Sequence, residues 1–134
     1  MTARNVIIDT GVLTLFFSGE SDVRPVFLDI ERGRNNGYVT AVNLSEFYYK
    51  TCENMGEEVA RLWYFQCREL LHTLETSREL SLLAGKEKCH QDGNLSLADC
   101  YALAAAKSLN GTLLTTDQEL AKVKDINVKF FVVP

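Results

Sequence analysis

The chain is short of the residues that mark specialised classes of protein. Its 134 residues include two prolines, two histidines and one tryptophan, and no apolar run comes near the length of a membrane span. It has no internal repeat, no low-complexity segment and no linker-like stretch. Residues 1–134 therefore read as one domain, large enough to bury a core without staples. The four cysteines, Cys52, Cys67, Cys89 and Cys100, form no CxxC pair and match no zinc spacing. They read as buried free thiols, which suits a reducing cytosol. The opening MTARNVIID has one basic residue and no long apolar core, so it is not a signal peptide and a cytoplasmic location is expected. Positive charge is scarce as well. Fourteen Lys and Arg stand against 18 Asp and Glu, a net charge of −4. A protein that grips nucleic acid by bulk electrostatics has the opposite balance.

What is present is an ordinary globular composition, 46% hydrophobic and 24% charged. Residues 4–9 read as an apolar strand, and 12–18 as the start of a helix. Residues 21–37 read as a helix with Pro25 in its first turn and the NNG of 35–37 as its stop. A strand follows at 38–41, then a helix from 44 to about 55 that Gly56 breaks. Residues 57–74 are strongly helical, with Val59, Leu62, Trp63, Gln66 and Leu70 along one side. Another helix is expected over 77–93, interrupted or ended near Gly85 or Gly93. The Ala-rich helix of 96–110 ends at Asn110 and Gly111. Strand 112–116, a short helix over 117–123 and a strand over 128–133, with Pro134 as its end, complete the chain. Alternating helices and unbroken apolar strands point to an α/β class. The expected form is a three-layer α/β/α domain with a central, mostly parallel sheet.

Four acids stand out against this frame. Asp9 ends the first apolar strand, Glu46 follows the second, Asp99 lies in the first turn of the Ala-rich helix, and Asp117 follows TLLTT. In open parallel sheets the crevice at the carboxyl ends of the strands is the usual ligand site, so these acids can converge there. Helix capping competes with function: Asn43, Ser96 and Thr116 could be caps, with Glu46, Asp99 and Glu119 as their partners three residues on. Capping does not account for Asp9. Nor would a fold gather acids for stability, since they repel and each loses water. A divalent cation resolves that conflict, and hard oxygen ligands suit Mg²⁺ or Mn²⁺.

The stretches VIIDTGVL (6–13), NLSEF (43–47), LSLADCYALAAA (95–106) and LLTTD (113–117) resemble the four signature stretches of PIN-domain ribonucleases of the VapC-toxin kind. They run in the same order through nearly the whole chain. The resemblance implies metal-binding acids at Asp9, Glu46, Asp99 and Asp117, with Thr115 supporting the site through hydrogen bonds. Thr10 and Glu119 are expected as accessory residues. It also implies Mg²⁺ or Mn²⁺, RNA as substrate, a homodimer and, for toxin members, a partner antitoxin. Two departures stand out. Many members carry Ser or Asn where Gly11 stands, and the segment before SLAD lacks the usual apolar strand, LHTLETSREL being a weak substitute.

The chemistry so implied is phosphodiester hydrolysis, in which a metal lowers the pKa of a bound water. Asp9 is expected as a direct ligand, and Asp99 and Asp117 as ligands directly or through water. Glu46 is either a ligand or the base that orients the attacking water. The cleft cations would supply the missing positive charge; Arg4, Arg24, Arg32, Arg34 and Lys50 could add to it locally, a solvated face being the ordinary role for most of them. His72 and His90 fall outside the signature stretches, which disfavours a histidine-based ribonuclease. Ser96 and Thr10 have no visible histidine base, and a DxDxT phosphatase motif is absent because Gly11 holds its second acid position. The other reading is a catalytically inactive PIN-like module that binds RNA or protein. Finally, Leu62, Trp63, Tyr64 and Phe65 point around a whole helix, and Tyr48 and Tyr49 lie on the one before. Either a neighbouring helix of the same chain covers these rings, or the two helices form a groove, with Tyr49 and Tyr64 in it, for an antitoxin segment, the homodimer face lying elsewhere.

Overall fold

In the computed structural model, which describes residues 3–91 and 94–134, five strands form one sheet in the order β3-β2-β1-β4-β5. The strands are β1 (Arg4–Ile8), β2 (Asn35–Thr40), β3 (His72–Leu74), β4 (Thr112–Thr115) and β5 (Asn127–Phe130). Every neighbouring pair is parallel. The helices are α1 (Thr10–Phe17), α2 (Arg24–Glu31), α3 (Ala41–Met55), α4 (Glu57–Leu70), α5 (Arg78–His90), α6 (Leu97–Ser108) and α7 (Gln118–Ala121). Among the described residues no helix is long and apolar enough to cross a membrane.

The pleat of β1 divides the core in two. Val6 and Ile8 join one apolar cluster with Val12 and Leu13 of α1, Phe27 of α2, Phe47 of α3 and Cys67 of α4. Ile7 points the other way, to Leu80 of α5, the Ala102–Ala106 stretch of α6 and Leu120 of α7. Helices therefore cover both faces, and the three-layer α/β/α arrangement follows. Ala102, Ala104, Ala105 and Ala106 of α6 are fully or almost fully buried, so this helix lies close against the sheet. From β1 the chain moves outward one way to β2 and β3, and from β4 the other way to β5. The order thus reverses between β1 and β4. A crevice opens at such a switch point, at the carboxyl ends of the two strands.

Several boundaries differ from the sequence reading, each for a physical reason. NNG does not stop α2, which ends at Glu31; Asn35–Gly37 opens β2 instead. Gly37 is needed for packing, because a Cβ there would lie 2.6 Å from Leu71 and 2.7 Å from Ile30. The helix expected over 57–74 stops at Leu70, and His72–Leu74 forms β3, a three-residue edge strand. The apolar spacing of α4 continues into this strand and hides it. The buried stripe of α4 is also rotated from the expected one: Ala60 and Cys67 are buried and Trp63 packs on the core, while Leu62 and Gln66 are exposed. Helix α5 runs straight through Gly85 to His90; Gly93, the other expected break, lies outside the described residues.

Candidate active site

Asp9 sits where β1 ends. Its backbone N–H donates to Leu114 O at 3.0 Å, which carries the β1–β4 pairing one residue past the strand. Its carboxylate also caps α1, accepting the Thr10 N–H at 2.9 Å on Oδ1, which corrects the expectation that capping has no part at Asp9: α1 starts directly at the strand's end. The Thr115 hydroxyl donates to Oδ2 at 2.7 Å, and the amide of Asn43 donates to Oδ1 at 3.3 Å. Asp9 is therefore a buried acid held from three elements, β4, α1 and α3.

Asn43 differs from the cap role its sequence position suggests. The cap of α3 is Thr40, whose hydroxyl accepts the Asn43 N–H at 3.0 Å. Asn43 lies one turn inside the helix and is fully buried. Its amide reaches Asp9, Thr10 Oγ1 at 3.4 Å and the Ala98 carbonyl at 3.2 Å, and its side-chain oxygen accepts from the Thr40 hydroxyl. It thereby ties α3 to β1, α1 and the start of α6. The signal was present in the sequence: Asn43 shares the helical face of Leu44, Phe47 and Thr51, all of them buried. An amide on an apolar face needs partners, and partners imply a network.

The other acids arrive from three directions. Asp99 lies in the first turn of α6, where Ser96 and Asp99 form a reciprocal capping box with bonds of 2.9 and 3.1 Å. Asp117 is itself the cap of α7, accepting the Glu119 N–H at 2.7 Å and the Leu120 N–H at 3.4 Å. That corrects the reading of Thr116 as this cap. Thr115 links the set, since its hydroxyl both donates to Asp9 and accepts the Asp117 N–H at 3.0 Å. Glu46 takes no part in capping; Lys50, one turn on, comes within 3.5 Å of it.

Asp9, Glu46, Asp99 and Asp117 all line one cavity of about 360 Å³ at the switch point, together with Thr10, Lys50 and Thr116. Glu119 does not line it and pairs with Lys122 at 3.2 Å. Gly11 lines it too, and a Cβ there would lie 2.0 Å from the Thr116 hydroxyl. Thr116 thus fills the space that a side chain at 11 would take, and supplies a hydroxyl in its place.

The charges explain what the cavity can do. Burial pushes the Asp9 carboxyl up to about 6, and the nearby Asp99 and Glu46 carboxylates add to this, against the lowering bonds from Thr115 and Thr10. Asp99 is raised as well, by burial first and then by the charges of Asp117 and Glu46. The four acids therefore feel one another across the cavity, and among the described residues Lys50 is the single cationic side chain lining it. The donor set is carboxylate and hydroxyl oxygen, without histidine or cysteine, which fits a hard divalent cation in kind. It is not drawn up to ligating distance: among the described residues no three acid, histidine or cysteine side chains are grouped closely enough to hold an ion. The carboxylates of Asp9, Asp99 and Asp117 are engaged by protein donors instead.

A three-layer parallel domain with four carboxylates around its switch point defines an acid-centred α/β fold. More narrowly, the chain belongs to the PIN domain family, whose model matches residues 6–126. No curated protein matches the sequence. Solved structures similar to it include DNA-bound VapBC from Salmonella typhimurium, with 14% identity, a TM-score of 0.73, and 95% of this chain and 98% of that one covered. VapBC2 from Rickettsia felis, bound to a promoter DNA fragment, matches with 15% identity, a TM-score of 0.72 and the same coverage, 95% and 98%. VapC20 of Mycobacterium tuberculosis, a sarcin-ricin loop cleaving toxin, matches with 12% identity, a TM-score of 0.70, and 87% and 92% covered. At such identities the likeness is one of fold.

Proposed function

We propose that this chain is a divalent-metal-dependent ribonuclease that hydrolyses RNA phosphodiester bonds, acting as the toxin of a toxin–antitoxin pair. Membership of the PIN family and the toxin or toxin–antitoxin character of the similar solved structures support this. The observation that carries it is the buried Asp9, hemmed in by other acids and raised to about 6. An acid so placed costs the fold stability unless a cation shares the cavity.

Asp9, Asp99, Asp117 and Glu46 are the residues that would hold Mg²⁺ or Mn²⁺. When bound, the metal supplies Lewis acidity that activates water near neutral pH and offsets phosphate charge. The chain's own groups do the remainder. Thr115 and Asn43 fix the Asp9 carboxylate by hydrogen bonds. Glu46, free of capping, orients the attacking water as base or serves as a further ligand. Lys50 meets a phosphate oxygen at the cavity mouth. A homodimer and a cognate antitoxin belong to the same reading.

Purified protein should cleave RNA with Mg²⁺ or Mn²⁺ and stop in EDTA. Asp9→Asn and Asp99→Asn should each lower the rate by roughly two orders of magnitude or more, with the fold retained. Undiminished cleavage in EDTA or in both variants would refute the mechanism. One observation favours the other reading, a non-catalytic PIN-like module binding RNA or protein: the acids are not grouped at ligating distance. RNA binding without cleavage at any Mn²⁺ concentration would establish it.

A further inference from the structure

The acid cavity is not isolated. A second groove, of about 500 Å³, shares Glu46 and Ser96 with it and is otherwise lined by a different set that includes Val42, Ser45, Tyr49 and Thr76. The spacing on α3 produces this division. Tyr49 and Lys50 stand three and four residues beyond Glu46, so both lie one turn away, on either side of it. Lys50 lines the acid cavity, Tyr49 lines the groove, and Glu46 lines both. The helix is thus a ridge with a charged slope and an aromatic slope.

We propose that this groove is a nucleobase subsite of the ribonuclease described above, on which reading it rests, with Tyr49 as its stacking platform. The chemistry selects the occupant. Among the described residues, Glu46 at the border is the only charged side chain lining the groove, so it suits a neutral flat group and not a phosphate. Tyr49 is half exposed, at 50%, and offers an aromatic face, on which any base can stack. Ser45, Thr76 and Ser96 bring hydroxyls, which can donate to or accept from a base edge. The volume is in the range of small-ligand sites. An RNA strand with its scissile phosphate among the acids and Lys50 would place a flanking base across the Glu46 ridge.

The groove is also distinct from the aromatic one expected from the sequence. Tyr64 packs edge-on against Tyr48, not Tyr49, with ring centres 6.0 Å apart. Those two rings line a separate groove with Phe65 that shares no residue with the acid cavity. The expected single groove holding both Tyr49 and Tyr64 is therefore corrected. Tyr49 belongs with the acids.

The test compares wild type, Tyr49→Phe and Tyr49→Ala, each checked for fold by circular dichroism. A random-sequence RNA pool is cut with Mn²⁺ and the ends are sequenced. In parallel, short RNAs carrying 2-aminopurine at single positions are titrated and their fluorescence followed. Wild type and Tyr49→Phe should share a base preference at one position beside the cut and quench 2-aminopurine there. Tyr49→Ala should flatten that preference, lose the quench and cut roughly ten-fold less efficiently, mainly through KM. An active wild type whose preference, quench and efficiency survive in Tyr49→Ala overturns the subsite and leaves the ribonuclease reading intact. If wild type cuts no RNA, the ribonuclease reading fails and the quench decides. A Tyr49-dependent quench then upholds a base site, and its absence overturns one. Loss of binding to a protein partner in Tyr49→Ala, with RNA behaviour unchanged, also overturns it.

Discussion

Two acids in this molecule are held in opposite ways. Glu87 on α5 receives the Lys107 ammonium at 2.6 Å and the Gln91 amide at 3.1 Å. Burial pushes its carboxyl up, but these bonds and the lysine charge outweigh burial and hold it below its ordinary value. Asp9 has bonds from Thr115, Thr10 and Asn43, all neutral donors, and is still raised to about 6, by burial first and then by Asp99 and Glu46. The fold gives a cation to the acid that joins α5 to α6. It surrounds the acid at its switch point with others of the same sign. Neutral donors orient Asp9; they do not neutralise it. Orientation without neutralisation is what a binding site requires and what a structural ion pair avoids.

The sharpest way to break this contrast is pH. A carboxyl raised by folding favours the protonated form, so its contribution is fully present below its unfolded value near 3.8 and is lost as pH rises through about 6. In EDTA, wild type should therefore lose stability relative to Asp9→Asn between pH 4 and pH 7.5. The gap should change on the order of 2 to 3 kcal/mol, read from urea unfolding of both proteins at each pH. A gap that does not move with pH would show that Asp9 is not electrostatically strained.

Thr115→Val sharpens the same contrast from the donor side. It removes the donor to Asp9 and the acceptor of the Asp117 N–H together, both at a fully buried residue. We expect a loss of about 2 kcal/mol in stability. The variant should also lose stability over a pH range extending further up, because that bond lowers the Asp9 pKa. Stability equal to wild type would mean that the hydroxyl network is incidental.

Glu87→Gln should have the smallest effect, about 1 kcal/mol near neutral pH. Its sign is opposite to that of Asp9. A lowered carboxyl stabilises above its unfolded pKa and loses that contribution as pH falls, so wild type and Glu87→Gln should converge in acid. RNA cleavage should be unchanged. A variant that folds normally but loses cleavage would move Glu87 out of its structural role.

The parts of this site that could be read from the sequence are those written in short local patterns. An acid after an apolar strand located Asp9 and Asp117 at the carboxyl edge, because a buried parallel strand is an unbroken apolar run and its end is conspicuous. The Ser96–Asp99 capping box was also legible, and the residue proved to serve as cap partner and cavity wall at once. What was hidden depends on packing phase. Asn43 looked like a cap because Asn at a helix start usually is one, yet Thr40 caps and Asn43 turns inward. The register of α4 is ambiguous in sequence since apolar residues occur on several of its faces. β3 was masked because three residues on a sheet edge carry no alternation of their own. Gly11 looked like a missing polar group, and only the approach of Thr116 shows what fills its place.

On the proposed reading, the four carboxylates of the switch point hold a hard divalent cation. Calorimetric titration of Mn²⁺ into the metal-free protein and into Asp9→Asn at pH 7.5 tests it most directly. Saturable binding to wild type, abolished or greatly weakened in Asp9→Asn, is the result expected. No binding to wild type, or equal binding to both proteins, would mean that these carboxylates hold no such ion.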